Sequence, residues 1–148
     1  MSTNTPGDTG ATRELPRDEA LALLQEAPVG RLAVFVGGRP DIFPVNHVVD
    51  RGSILFRTAH GRKLWGSAGL PVAFEADGYD VATGEAWSVV VHGQGVVVAN
   101  PDEVLSALEL PILPWQSGEK PRLVRISPEE VTGRRFRVVG GVRSEPPA

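Results

Sequence analysis

With 148 residues, 41% of them hydrophobic and 22% charged, the chain has the make-up of one globular domain and is too short for two comfortable cores. A formal net charge of -3 argues against a general binder of nucleic acid or anionic membranes, so any anion site must be local. Lack of cysteine removes disulfides, thiol nucleophiles and thiolate metal sites; with no signal-peptide layout and no apolar run of membrane-spanning length, a soluble, cytoplasmic protein is expected.

Met1 to Glu14 are rich in Ser, Thr, Gly, Asp and Asn without a periodic apolar face, and the composition predicts a disordered tail over 1–14. A second flexible tail is expected over 140–148, leaving one domain at 15–139. Pro16 to Gln25 reads as a short helix: Pro16 suits its first position, Asp18 and Glu19 its first turn, and Leu21 and Leu24 face a core. Strands follow at Val29–Val36 and Asp41–Val49, joined by Gly37-Gly38, and then at Ser53–Thr58 after Asp50-Arg51-Gly52. Gly61 to Ser67 predicts a short helical connection and Val72 to Ala76 a fourth strand, which Asp77-Gly78-Tyr79-Asp80 would turn back. Trp87–Val98 is a long strand with Gly93 and Gly95 as bulge or bend positions. Asn100-Pro101-Asp102-Glu103 is a helix start, with Val104, Leu105 and Leu108 as its expected apolar face. A proline-punctuated loop around Trp115 leads to a final pair, Arg122–Ile126 and Thr132–Val138. The order predicts an antiparallel barrel with attached helices.

The chemistry concentrates in Phe56-Arg57-Thr58-Ala59-His60-Gly61-Arg62-Lys63. An apolar strand ends at a hydroxyl, and a glycine and two cations follow, which suits a phosphate through charge-assisted hydrogen bonds. The competing reading makes Thr58 a plain strand residue and Arg62 with Lys63 a solvated pair. Upstream, Phe43-Pro44-Val45-Asn46 belongs to the neighbouring strand, so two strands would present one ligand surface. His47, His60 and His92 fall on different elements without ligand spacing, which gives no metal site. No catalytic acid or base is assignable.

Val29-Gly30-Arg31-Leu32-Ala33, Phe43-Pro44-Val45-Asn46, Phe56-Arg57-Thr58 with Lys63, Ala86-Trp87-Ser88-Val89-Val90-Val91-His92-Gly93 and Val131-Thr132-Gly133-Arg134 occur in this order. In them the chain resembles the pyridoxamine 5'-phosphate oxidase-like, FMN-binding split-barrel family from about Pro16 to Phe136. The resemblance implies a mainly β, six-stranded antiparallel split barrel with two or three short helices, and a homodimer with FMN in two equivalent interfacial sites. It places the flavin edge on Phe43, Pro44, Val45 and Asn46, and the phosphate on Thr58, Arg62 and Lys63, with Arg57 as a further cation. Ser88 would reach the flavin from the other subunit, with Trp87 beside it. Trp115 and Arg134 complete the cofactor set, Arg134 favouring an anionic reduced ring. The stretch Gly133-Arg134-Arg135-Phe136-Arg137 lacks the histidine of the vitamin-B6 oxidase proper, and the phosphate loop is one residue shorter. The likeness is therefore to the nitroimidazole-reductase-like branch, and implies an oxidoreductase of a small organic molecule, possible donor NAD(P)H. Relatives that use F420 or haem supply the alternatives: an F420-dependent reductase, or a non-enzymatic flavin or haem binder.

Overall fold

The computed structural model describes residues 12–58, 69–111 and 122–138. In chain order these form β1 (Thr12–Leu15), α1 (Arg17–Glu26), β2 (Gly30–Val36), β3 (Arg39–Val45), β4 (His47–Asp50), β5 (Ser53–Thr58), β6 (Leu70–Asp80), β7 (Glu85–Val97), α2 (Pro101–Ala107) and β8 (Arg122–Arg137). All strand pairings are antiparallel, in the order β3-β2-β6-β7-β8-β5-β4. The two ends of that order, β3 and β4, are consecutive pieces of chain on either side of Asn46, so the sheet closes on itself. Counted as one bent strand, they give the six strands expected of the barrel. β1 is an addition, laid against the last residues of β8.

The interior follows from the alternation of side chains along each strand. Leu32 and Val34 of β2, Ile54 and Phe56 of β5, Phe74 and Ala76 of β6, Val89 and Val91 of β7, and Val124 and Ile126 of β8 share one core with Ala20, Leu23 and Leu24 of α1. Phe56 and Phe74 are wholly buried, and burial of each contributes roughly 2–3 kcal/mol. A smaller cluster on the outside of the barrel joins Val48, Leu55 and Leu123 to Ala107 of α2.

Several expectations change. Asp77–Asp80 do not turn the chain: β6 runs through them, and the turn lies at 81–84, where the Asp80 carboxylate accepts from the amides of Ala82 and Thr83 at 2.9 and 3.4 Å. Gly78 is there for space, since a Cβ on it would overlap the indole of Trp87. The final pair is one strand of 16 residues, broken only by a register shift opposite His92 and Gly93. Gly93 fits because a Cβ would strike the Ser127 carbonyl, whereas Gly95 keeps regular register. Thr12 to Glu14, expected within a tail, belong to β1, since backbone pairing with β8 supplies what their composition lacks. In α2, Leu105 and Leu108 are exposed, at 62% and 61%. That two-turn helix docks through Ala107 instead. Its cap is as expected, Asn100 accepting from the amides of Asp102 and Glu103 at 2.8 and 3.4 Å. The expected connection at 61–67 and the loop around Trp115 lie outside the described residues.

Candidate functional site

Beyond the pair His47↔Phe56 the ladder between β4 and β5 stops, and the chain crosses to pair with β2 from Val45↔Gly30 onward. The result is a fork in the sheet. Asn46 sits at its apex, between Val45, paired with Gly30, and His47, paired with Phe56, while β5 runs on through Arg57 to Thr58. The sequence segments 43–46 and 56–58 therefore do adjoin. Proline is tolerated at 44 because, among the described residues, β3 bonds on one side, to β2.

Within this fork Phe43 is half-buried and packs against the core, Pro44 is exposed, Val45 is buried and Asn46 is half-buried. Thr58 ends β5 as a buried residue, 7% exposed, paired with Arg122, on the interior face that carries Ile54 and Phe56. Arg57, paired with Leu123, faces the other way. Arg62, Lys63 and Trp115 lie outside the described residues, as does His60.

Trp87, Ser88 and Arg134 form a second group. Ser88 pairs directly with Arg134 on β8 and with Asp77 on β6, on the outer face of the sheet. Trp87, one residue earlier, turns to the inner face, where it packs against the core and over Gly78. The strand order puts β2 and β6 between β3 and β7, about 14 Å of sheet as three spacings of ~4.8 Å. On the other side β8 adjoins β5 but carries Arg134 towards its far end from Arg122, the residue that pairs with Thr58.

Between them lies a charged cluster that the sequence reading did not single out. Arg31 stands opposite both Pro44 and Glu75, and its guanidinium donates to Glu75 at 2.9 Å and to Asp77 at 3.3 Å. Burial, followed by the hydrogen bond shared with Asp77, raises the carboxyl pKa of Glu75; the bond to Glu75 in turn raises that of Arg31. The signal for this cluster was an acidic pair two residues apart, alternating with the core residues Phe74 and Ala76, yet Asp77 looked like a turn residue.

Behind the fork, His47 is buried, its Nε2 is 2.7 Å from the Leu24 carbonyl and its ring meets Phe74 edge-on at 4.8 Å. Loss of water depresses its pKa, so the imidazole is held neutral and Nε2–H donates to that carbonyl. Among the described residues no group of three acidic, histidine or cysteine side chains is arranged to hold a metal ion.

A closed antiparallel barrel whose bent strand forks beside the end of its neighbour defines a split-barrel protein. The family model for pyridoxamine 5'-phosphate oxidase matches residues 16–135, and the chain belongs to that oxidase-like family. An uncharacterized protein of Mycobacterium tuberculosis is 38% identical over 129 residues, which cover 83% of this chain and 84% of that protein. A Corynebacterium glutamicum structure named for the same oxidase is 43% identical with a TM-score of 0.77, covering 86% of this chain and 100% of that one. The structure of an FAD-binding protein from Mycobacterium smegmatis is 36% identical with a TM-score of 0.73, covering 85% of this chain and 99% of that one.

Proposed function

We propose that this protein binds a flavin at the fork between β3 and β5 and acts as an oxidoreductase on a small organic electron acceptor or donor. The observation that carries the proposal is the fork itself. It opens the sheet between Val45 and Asn46 on one arm and the end of β5 at Thr58 on the other, on a chain with a 36% identical relative that is an FAD-binding protein. FMN is the flavin proposed: its phosphate would sit between the Thr58 hydroxyl and the cations Arg62 and Lys63, and the ring would lie along Phe43 to Asn46. Bound flavin supplies the hydride or electron transfer, with NAD(P)H as the proposed donor. This chain's residues hold and orient the ring, and Pro44 and Phe43 shield its edge from water. FAD is the second reading, favoured by the M. smegmatis relative.

A homodimer is part of the proposal. The outer face of β2 and β3 exposes Phe35 at 64% and Ile42 at 60%, beside Pro40 and Pro44, an apolar patch of the kind a second copy covers. Ser88 pairs with Arg134 towards the far end of β8 from Arg122, the residue that pairs with Thr58, so a second copy's Ser88 and Arg134 would complete each site.

The test is an absorbance spectrum of the purified protein and mass identification of what acid releases, with FMN expected. Thr58→Ala with Lys63→Ala should weaken FMN binding by about tenfold or more through lost charge-assisted bonds while leaving the fold intact. A folded double variant with unchanged flavin affinity sinks the assignment. Sedimentation at micromolar concentration should show two chains; a monomer holding stoichiometric flavin contradicts the shared site.

A further inference from the structure

A cavity of about 530 Å³ opens at the end of the barrel between α1 and the hairpin of β6 and β7. It is separate from the fork. Its aromatic wall is Trp87, with Tyr79 beside it, and its apolar floor includes Leu23. The indole fills the space a Cβ on Gly78 would need and packs against the core. Around this wall stand Glu26, Asp80 and Glu85, against one guanidinium among the described lining residues, that of Arg135. That is a formal excess of two negative charges. Glu85 already pairs with Arg135 at 3.7 Å, and Asp80 is fixed by the amides of Ala82 and Thr83, so the positive group present is committed while the excess charge stays in the wall. The same sign comes from α1. Its carbonyl end lies at Glu26, and its last turn carries no basic residue to offset the helix dipole.

A flat aromatic surface within a net negative cavity is the chemistry that recognises an organic cation. We infer that this cavity is a binding site for a small quaternary ammonium or protonated amine, stacked on Trp87 and neutralised by Glu26 and its neighbours. An anion is disfavoured by the same excess carboxylates and helix end, and a neutral molecule would use only the indole.

The probe is benzyltrimethylammonium chloride, titrated into the full chain and followed by tryptophan fluorescence, with benzoate and benzyl alcohol as anionic and neutral counterparts. Saturable quenching is expected with the cation, and binding at least about tenfold weaker with either counterpart. Glu26→Gln, an exposed change at the end of α1, should weaken binding about threefold. Gly78→Ala, which displaces the indole without deleting it, should weaken it about tenfold. Circular dichroism checks that both variants fold. Absence of saturable quenching, equal binding of benzoate, or wild-type affinity in both folded variants would overturn the inference. The titration is run with and without added FMN. Flavin binding is read separately by flavin absorbance, so failure of one proposal is distinguishable from failure of the other.

Discussion

Gly30→Ala is the sharpest single test of how the core is built. A Cβ at position 30 would overlap the tip of the Phe74 ring, which is wholly buried and can move only by displacing its neighbours. One of those neighbours is His47, 4.8 Å away and adjacent to the fork. Overpacking of this kind costs roughly 1–3 kcal/mol. For a chain of this length about 1 kcal/mol lowers Tm by ~3 °C, so Gly30→Ala should melt roughly 3–9 °C below the parent. Differential scanning calorimetry reads the shift directly. Phe74→Leu by itself also destabilises, by about 1–2 kcal/mol through lost burial. Combined with Gly30→Ala it should recover part of the loss, since the smaller side chain makes room for the methyl. Additive or worse effects in the double variant, or an unchanged melting temperature in Gly30→Ala, would refute the packing argument.

His47 predicts a pH dependence. Its folded pKa is depressed by burial, so as pH falls the unfolded chain takes up the proton first, and stability is lost below the ordinary histidine value of 6.5. The slope contributed is at most about 1.4 kcal/mol per pH unit. Chemical denaturation at pH 7.5 and 5.5 should show it, and His47→Phe should flatten it; an equally steep profile in that variant rejects the assignment. Arg125 predicts a coupling. Its guanidinium bonds the Asp50 carboxylate at 3.4 and 3.5 Å and the Ser53 hydroxyl, tying the β4–β5 hairpin to β8. Partial exposure of the pair limits the gain, and a double-mutant cycle with Arg125→Met and Asp50→Asn should return about 1 kcal/mol of interaction. Additive losses would show that the contact adds nothing.

Much of the fold could be read locally. Alternating apolar residues marked β2, β5 and the core of β7, and Asn100-Pro101 marked the start of α2 because capping is settled within three or four residues. The reversal at Asp50-Arg51-Gly52 was legible, and it joins β4 to β5 in a hairpin. Where the reading failed, distant partners decided. Asp77 and Gly78 have turn composition, yet they extend β6 because Ser88 and Trp87 pair with them across 11 residue pairs of the β6–β7 ladder. The period-two phase of β8 reverses between Ile126 and Gly133, since the bulge opposite Gly93 shifts which residues face inward. From one sequence that reversal looks like two strands. Leu105 and Leu108 likewise looked like a buried face until the close docking of Ala107 left them outside.

The sequence alone determined what is short-range: the capped helix start, the turns at Gly37-Gly38 and Asp50-Arg51-Gly52, and the stretch 56–63 with its hydroxyl and cations. Only the tertiary structure decided that β3 and β4 are one strand bent at Asn46, that Trp87 and Ser88 face opposite sides of the sheet, and that Arg31 is clasped by Glu75 and Asp77. The reason is physical. Propensity and periodicity act within a few residues, whereas barrel closure and charge pairing join positions some 45 residues apart along the chain.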